Sequence, residues 1–273
     1  MNHVILIFID GMGIGERNEF NPLAQISNLF PLDNFIDSAS SKLLGGLMAE
    51  TDARLGVDGR PQSASGHTAI YTGKNAPKIN GAHKQGFPNE TLRALIKQFS
   101  VFKQLENAGL RENVFINTYT PNFFTMRNRP RSTTTVMVET TSLEFRKLPD
   151  LLGRRALFHD FTNRKLREHK FDVPEFSASE AAEILVKVAK MHHFTLYEYF
   201  LTDKIGHDMN WDAARIVLPE LALFVQRTIE LIDSTNTTLI LTSDHGNIEN
   251  LSIRNHTLNK VPTIVWGRNN HEI

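Results

Sequence analysis

The stretch VILIFID (residues 4–10) decides the fold, because six consecutive apolar residues run directly into the carboxylate of Asp10. Two later stretches have the same form: FTLYEYFLTD (194–203) and TTLILTSD (237–244). Mostly apolar runs of this length are typical of strands in a sheet that is covered on both faces. Such sheets bind ligands at the carboxyl ends of their strands. We therefore expect Asp10, Asp203 and Asp244 to converge on one crevice.

Helical segments separate these strands. Residues 179–193 and 219–233 carry apolar side chains at helical spacing, and residues 89–109 form a further helical region. NVFINTY (113–119) and VPTIVW (261–266) are interpreted as additional buried strands. This alternation predicts an α/β fold with a doubly wound, mostly parallel sheet.

The segment from about residue 120 to 175 fits this alternation less well, because it is rich in Arg, Asn, Thr and Phe and lacks a clean period. We expect a single domain over residues 1–273, with this segment inserted as a small cap over the crevice.

Composition narrows the classes of function. The 273 residues include no cysteine, so any metal site must use His, carboxylate or hydroxyl ligands. Thirty basic residues balance thirty acidic ones, which gives no support for nucleic-acid binding. Apolar runs are too short to span a bilayer, and the N-terminus does not resemble a signal peptide. We therefore expect a cytoplasmic protein without a membrane or nucleic-acid partner; the oligomeric state is left open.

Three carboxylates and three imidazoles form the candidate metal ligands: Asp10, Asp203, His207, Asp244, His245 and His256. This mixture suits Zn²⁺ or Mn²⁺, with Mg²⁺ as an alternative. Two such ions roughly 3.5–4 Å apart can clamp the oxygens of a phosphoryl displacement. Each motif alone has an ordinary structural explanation, since an Asp-x₃-His pair is usually a solvated helix face and an Asp after a strand is usually a turn residue. The hypothesis depends on their joint occurrence.

The segment PQSASGHTAIYTG (61–73) supplies the candidate nucleophile. Ser63 and Ser65 both precede a short helical stretch, and the N-terminus of a helix favours phosphate. Either serine could equally be a plain helix cap. The residues alone do not separate the two.

Taken together, these motifs resemble the alkaline phosphatase superfamily, in particular the branch of cofactor-independent phosphoglycerate mutase and phosphopentomutase. The matching segments come in the family order: 7–16, 61–73, 202–208, 243–250 and 255–262. The resemblance implies an alkaline-phosphatase-like fold and two divalent ions. It implies that Asp10, Asp244 and His245 bind one ion together with the nucleophile, and that Asp203, His207 and His256 bind the other. It also favours Ser63 over Ser65, through the spacing to Thr72-Gly73 and Gly66-His67.

The resemblance further implies a metal-dependent enzyme that acts on a small phosphorylated substrate. Because the mutases carry a large second domain and this chain has room only for a small insertion, we expect a phosphomonoester hydrolase. The alternatives are a phosphoglycerate or phosphosugar mutase and, behind it, a non-catalytic metal-binding protein. Candidate cations for the substrate are Lys74, Arg127, Arg129 and Arg131, although each could equally lie on a solvated surface.

Overall fold

The computed structural model describes residues 2–33, 44–126 and 128–268. Its centre is a six-stranded sheet, and two further short strands pair beside it. In chain order the strands are β1 (His3–Ile9), β2 (Leu47–Thr51), β3 (Asn113–Phe115), β4 (Thr118–Tyr119), β5 (Arg146–Lys147), β6 (Phe194–Tyr199), β7 (Thr237–Thr242) and β8 (Val261–Gly267).

The large sheet has the order β2-β8-β7-β1-β6-β3. Strands β7, β1, β6 and β3 run parallel, while β8 is antiparallel to both of its neighbours. The predicted α/β class with a mostly parallel sheet is therefore confirmed. Because β1 lies between β6 and β7, the three chain segments that were expected to converge leave the sheet side by side.

Helices cover both faces of this sheet. The described helices are α1 (Pro22–Gln25), α2 (Ser63–Thr72), α3 (Ala76–Asn80), α4 (Glu90–Phe99), α5 (Val101–Asn107), α6 (Pro121–Thr125), α7 (Thr133–Glu139), α8 (Leu148–Leu152), α9 (Arg164–Glu168), α10 (Ala178–Ala189), α11 (Leu201–Asp208) and α12 (Trp211–Leu231). None of them, within the described residues, is long and apolar enough to cross a bilayer.

The side chains of β1 alternate between the two faces, as the pleat of a strand requires. Ile5, Ile7 and Ile9 are fully buried in the cluster that includes residues of α10 and α12. Leu6 and Phe8 belong to the opposite cluster, with residues of α2, α4 and α7. The continuous apolar run in the sequence therefore reflects a strand that is buried on both sides, and the sheet is doubly wound.

Two predicted helices begin elsewhere than expected. The helix predicted to start at Ser179 starts at Ala178, because Ser177 forms the capping box with Glu180. The helix predicted from Pro219 begins eight residues earlier at Trp211, where the Asn210 side chain accepts from the Ala213 amide. Pro219 lies inside α12. Proline is common in the first turn of a helix, but the side chain that caps this helix, Asn210, lies upstream.

Two predicted strands are shorter than expected. The run 194–202 leaves the sheet after Tyr199, so that Asp203 lies in the first turn of α11 and not directly after a strand. The run 113–119 is divided into β3 and β4, and β4 pairs with β5 in the small sheet. Asn117 lies between the two pieces and uses its side-chain amide on the backbone of Glu198. This pairing replaces a regular strand ladder.

The described part of residues 120–175 contains four short helices, α6 to α9, and the strand β5 of the small sheet. Phe123 and Phe145 pack their rings on Tyr119 at centroid distances of 4.5 and 4.6 Å. Val136 and Met137 of α7 also belong to the cluster with Leu6 and Phe8, so part of the segment packs in the core of the domain. Whether it acts as a cap over a substrate stays a prediction.

Candidate metal centre and nucleophile

The candidate ligands meet at the carboxyl ends of β7, β1 and β6. Asp10 directly follows β1, and its amide donates to the carbonyl of Tyr199 on β6. The loop after β7 is tied to the loop after β1, since the Met12 amide donates to Ser243 Oγ at 2.9 Å. Asp203 reaches the same place from the first turn of α11. Three adjacent strands thus supply three carboxylates to one crevice, as the fold class predicts.

One group of possible ligands consists of Asp203, His207 and His256. The two imidazoles approach through Nε2, at 3.4 Å and 3.6 Å from the Asp203 carboxylate and 3.2 Å from each other. Each ring is held from its other nitrogen: His207 Nδ1 lies 2.6 Å from the Arg254 carbonyl and His256 Nδ1 lies 2.8 Å from the Pro61 carbonyl. A carbonyl partner at Nδ1 leaves the lone pair on Nε2, which is the arrangement of metal-binding histidines.

A second region lies around Asp10, Asp244 and His245. His245 Nε2 is 3.4 Å from Asp10 Oδ1 and 3.2 Å from Asp244 Oδ2. The possible ligand groups here are Asp10 with Asp203 and His245, and Asp10 with His67 and Asp244. Asp203 also belongs to the group with His207 and His256, so it links the two regions, and Asp10 is shared by the two groups of the second region.

His67 was not identified from the sequence. Its Nε2 lies 3.2 Å from Asp244 Oδ2 and 3.7 Å from Asp10 Oδ2, and the side chain is buried. His67 follows Ser63 by four residues on α2, so both side chains lie on one face of the helix. That spacing was the available signal, but it was used only to choose between the two serines.

The electrostatics of this group favour a bound cation. Burial, reinforced by the carboxylates of Asp244 and Asp203, raises the pKa of Asp10 well above its usual range. Buried Asp10 Oδ1, Asp244 Oδ2 and His67 Nε2 also have no well-aligned hydrogen-bond partner among the described residues. Buried carboxylate charge without such partners is costly unless a cation neutralises it. The residues present therefore fit divalent metal ions.

His245 has the protonation state that a ligand requires. Burial lowers its pKa to about 4, so the imidazole is neutral at pH 7. A neutral ring offers a lone pair to a metal ion, whereas a protonated one does not.

Ser63 and Ser65 have different surroundings. Ser63 is the first residue of α2, and its Oγ lies 3.1 Å from His245 Nε2. Ser65 is fully buried; its Oγ donates to the Gln62 carbonyl and accepts from the Lys84 amide. Ser63 therefore faces the ligand group, while Ser65 connects the residue before α2 to the loop that follows α3.

Close contact between α2 and the β7 loop requires a glycine. A Cβ on Gly66 would lie 2.8 Å from the Asp244 Cβ, closer than carbon atoms pack. Gly66 thus allows the helix that begins with Ser63 to approach the carboxylate loop.

Glu249 connects the loops that carry the ligands, and the sequence analysis did not identify it. Its Oε2 accepts from the amides of Gly13 and Asn247, and its Oε1 accepts from Thr257 Oγ1 and Asn259 Nδ2. These donors belong to the segments that follow Asp10, His245 and His256. The Glu249 carboxylate is buried and fixes the three segments relative to one another.

A second buried carboxylate was also missed. Glu198 on β6 is 2% exposed and accepts hydrogen bonds from Tyr71 Oη at 2.6 Å and from Thr134 Oγ1. Burial raises its pKa. A glutamate inside an apolar strand run, FTLYEYF, was the signal in the sequence.

The side chains proposed to bind the substrate as cations lie in different surroundings. Lys74 lies just beyond the C-terminal end of α2, and its Nζ lies over the Phe99 ring. Because α2 has ten residues and begins at Ser63, its two ends are about 15 Å apart. Lys74 is thus beside the helix of the nucleophile but at its far end, and its role as a substrate cation stays a prediction. Arg131 is paired with Glu139 at 2.7 Å, whereas Arg129 lines a cavity together with Glu198. Arg127 lies outside the described residues.

Comparison with known proteins relates the whole chain to one family. The model of the Metalloenzyme superfamily matches residues 2–272. The 2,3-bisphosphoglycerate-independent phosphoglycerate mutase of Ehrlichia canis (strain Jake) is 31% identical over 105 residues, which cover 35% of this chain and 21% of that protein. The mutase of the same description from Wolbachia pipientis wMel is 37% identical over 102 residues, covering 34% and 20%. The match therefore spans about a fifth of the length of these relatives.

Among solved structures, the protein PH0037 from Pyrococcus horikoshii aligns with a TM-score of 0.57 at 13% identity. The alignment covers 97% of this chain and 85% of that one. At this identity the likeness concerns the fold alone.

Proposed function

The chain belongs to the Metalloenzyme superfamily, the alkaline-phosphatase-like family that its motifs resemble, and from this premise we propose that it is a phosphomonoester hydrolase with Ser63 as nucleophile. One observation carries the proposal. Ser63 begins α2, and its Oγ lies 3.1 Å from His245 Nε2, inside a group of carboxylates and imidazoles. A hydroxyl at a helix N-terminus beside such a group is suited to attack a phosphoryl group.

We propose two divalent ions, of Mn²⁺ or Zn²⁺, in this group. Asp203, His207 and His256 would hold one, and Asp10, Asp244 and His245 with Ser63 would hold the other, with His67 beside it. When bound, such ions neutralise phosphate charge and lower the pKa of a coordinated hydroxyl. Carboxylate and imidazole ligands without thiolates are compatible with either metal.

The residues of the chain position the reaction. The N-terminus of α2 presents its partial positive charge to the phosphate, and Ser63 Oγ forms the bond to phosphorus as the ester's P–O bond breaks. A water molecule then cleaves the phosphoserine, which restores the Ser63 hydroxyl and releases inorganic phosphate. The His207 side chain is 39% exposed, so water has access to the side of the centre that it occupies.

A mutase is the second candidate, because the curated relatives described above are phosphoglycerate mutases. A phosphoglycerate carries a carboxylate that needs cationic partners besides those for its phosphate. The described lining of the cavity next to Glu198 contains one Arg, Arg129, together with six Phe or Tyr residues and several uncharged polar side chains. This lining favours hydrolysis of a different ester.

The experiment follows both products of one reaction. The protein, loaded with Mn²⁺ or Zn²⁺, is incubated with phosphoglycerate, sugar phosphates and simple phosphomonoesters, with Ser63→Ala as control. We expect inorganic phosphate to appear at nearly the rate of substrate loss, and the control to be inactive. Conversion of a substrate to its positional isomer with little free phosphate would replace the hydrolase by the mutase.

A further inference from the structure

A cavity of 360 Å³ opens at the carboxyl ends of β3 and β6. The buried carboxylate of Glu198 forms part of its wall, and we refer to it as the Glu198 cavity. The aromatic side chains of its lining are Phe87, Phe115, Tyr119, Phe123, Phe158 and Phe200. A volume at the lower end of the range of small-molecule sites suits an ester with a short alcohol part.

Glu198 brings a negative charge to this cavity without a cationic partner. Its hydrogen bonds among the described residues come from Tyr71 Oη and Thr134 Oγ1, and both are accepted by Oε1. Both donors are neutral, and within the described part of the chain no Lys, Arg or His side chain lies within ion-pair distance of this carboxylate. A buried carboxylate is costly unless a positive charge compensates it. The cavity therefore favours a cationic ligand.

The aromatic rings favour a cation as well. The face of a Phe or Tyr ring carries partial negative charge and attracts ammonium and guanidinium groups. One contact of this kind is present, since the Arg129 guanidinium lies 5.4 Å from the centre of the Phe123 ring. Arg129 is exposed, so that its charge is screened by solvent, whereas Glu198 is 2% exposed. The inner part of the cavity therefore keeps its preference for a cation.

Two polar atoms of the lining, Thr118 Oγ1 and His159 Nδ1, are buried without a hydrogen-bond partner among the described residues. Burial lowers the pKa of His159, so its imidazole is neutral at pH 7 and can accept a hydrogen bond at Nδ1. A primary ammonium group has three N–H donors for these two acceptors and the Glu198 carboxylate. A neutral hydroxyl group could bond to one of them, but it would leave the buried carboxylate without a compensating charge.

The Glu198 cavity lies beside the candidate metal centre. Glu198 is paired in register with Phe8, two residues before Asp10. Strands about 4.8 Å apart with a rise of about 3.3 Å per residue place the Cα atoms of Glu198 and Asp10 roughly 8 Å apart. Their charges interact, because the Glu198 carboxylate, after burial, Asp244 and Asp203, contributes to the raised pKa of Asp10.

This separation suits an ester of a two-carbon amino alcohol. Four bonds of about 1.5 Å connect phosphorus to the ammonium nitrogen, so the two charged groups lie about 5 Å apart when the chain is extended. A phosphoryl group at Ser63 can therefore leave the ammonium group in the cavity. The ester has one orientation, because the Glu198 carboxylate attracts the ammonium group and repels the phosphate.

We propose that the Glu198 cavity binds the ammonium group of the substrate and that the preferred substrates are phosphomonoesters of short amino alcohols. This proposal rests on the proposed phosphohydrolase function and specifies its substrate class. The ammonium nitrogen lies between Glu198 Oε2 and the faces of the aromatic rings, while the phosphoryl group lies at Ser63.

The test compares 2-aminoethyl phosphate with 2-hydroxyethyl phosphate, which has nearly the same size but no positive charge on its alcohol part. We expect metal-loaded protein to have a kcat/KM at least about 10-fold higher for 2-aminoethyl phosphate. Glu198→Gln keeps the size of the side chain and should remove most of this preference. Glu230→Gln is the matched control, because Glu230 lies on α12 outside the lining, and it should leave the preference unchanged.

A second variant tests the aromatic wall without disturbing the core. Phe87→Ala, at a side chain 49% exposed, removes one ring and should lower the preference by raising the KM for 2-aminoethyl phosphate. Phe20→Ala is its control, because Phe20 is 44% exposed and outside the lining. If Glu198→Gln does not fold, this pair decides: equal preference in both variants would overturn the proposal.

A binding measurement separates this proposal from the proposed function. Calorimetry with metal-loaded Ser63→Ala protein measures the affinity for both esters without turnover. Tighter binding of 2-aminoethyl phosphate, lost in Glu198→Gln/Ser63→Ala, supports the cavity even if the wild type hydrolyses neither ester, a result that would count against the phosphohydrolase function alone. Equal affinity for both esters would overturn the amino-alcohol class. The ion content of Glu198→Gln is measured as well, since loss of an ion would assign Glu198 to metal binding and overturn the proposal too.

Discussion

Ser63 and Ser65 are two residues apart on α2, yet only Ser63 is within 3.1 Å of a candidate metal ligand. We predict that Ser63→Ala lowers kcat by at least about 10³-fold, since it removes the nucleophile. Ser65→Ala loses hydrogen bonds to Gln62 and Lys84 and should instead lower the free energy of unfolding by about 1–3 kcal/mol while leaving most of the activity. Steady-state kinetics and intact-mass detection of a phosphoenzyme check both variants. Phosphate on Ser65 would contradict the assignment.

His245 makes the metal-free protein sensitive to acid. Its pKa is about 4 in the folded protein, against an ordinary value near 6.5 in the unfolded chain. Between these values the unfolded state binds a proton that the folded state does not, so stability is present above pH 6.5 and is lost as the pH falls toward 4. We predict a decrease of up to about 1.4 kcal/mol per pH unit in this window from this residue.

Urea unfolding in the presence of a chelator, at pH values from 7.5 to 4.5, measures this decrease. His245→Asn should show a flatter dependence because the Asn side chain at position 245 does not titrate. An equal slope in both proteins would mean that His245 does not carry the effect.

Among single residues, Asp10 and Asp244 could be identified from the sequence, because each follows an apolar run whose end can be recognised without a structure. The sequence did not identify His67 or Glu198, because the contacts of His67 with Asp244 and of Glu198 with Tyr71 depend on how α2 packs against the sheet. The distance of Lys74 from Ser63 also depends on structure, since it is set by the rise of α2, and its role as a substrate cation stays a prediction.

Among elements, the three loops that carry the ligands are joined by Glu249. Glutamine at position 249 has the same size as glutamate, but its side-chain NH₂ group is a donor where the carboxylate has an acceptor. This donor would face another donor, such as the Asn247 amide or Thr257 Oγ1. We predict that Glu249→Gln lowers the free energy of unfolding by about 2–4 kcal/mol and weakens metal binding by about 10-fold. Urea unfolding and metal titration give the two values.

Glu230→Gln is the matched control for this variant. Glu230 is a half-exposed residue of α12 whose carboxylate pairs with Arg227, and surface pairs of this kind contribute at most about 1 kcal/mol. If both substitutions have the same small effect, Glu249 does not organise the loops.

Element boundaries could be predicted only in part. The strands β1 and β7 were found almost to the residue because their apolar runs are uninterrupted. The start of α12 was not predicted. Pro219 is a residue type that is common in the first turn of a helix, whereas the actual N-cap, Asn210, lies in a polar stretch. The cap role of residues 120–175 stays a prediction. Short helices such as α7 leave no clear period in the sequence, although apolar residues of α7 pack in the core.

In the whole molecule, the order of the strands in the sheet brings the candidate metal ligands together. Residues 10, 203 and 244 are far apart in the chain, and only the adjacency of β7, β1 and β6 brings their carboxylates together. The sequence predicted this convergence from a general property of parallel sheets. The order of the strands and the antiparallel direction of β8 could not be predicted, because pairing partners are not encoded in the pattern of a single strand.

Metal content is the most direct test of the proposed centre. Purified protein is stripped, reconstituted with Mn²⁺ or Zn²⁺ and analysed for ions per chain, beside Asp203→Ala/His207→Ala and the control Asp208→Ala. Asp208 lies on the same helix, but its carboxylate is paired with Lys204 at 2.9 Å. We predict about two ions per chain in the wild type and the control, and about one in the double variant, because one ligand group survives. A wild type that never exceeds one ion, or a double variant with the same content as the wild type, would contradict the two-metal centre.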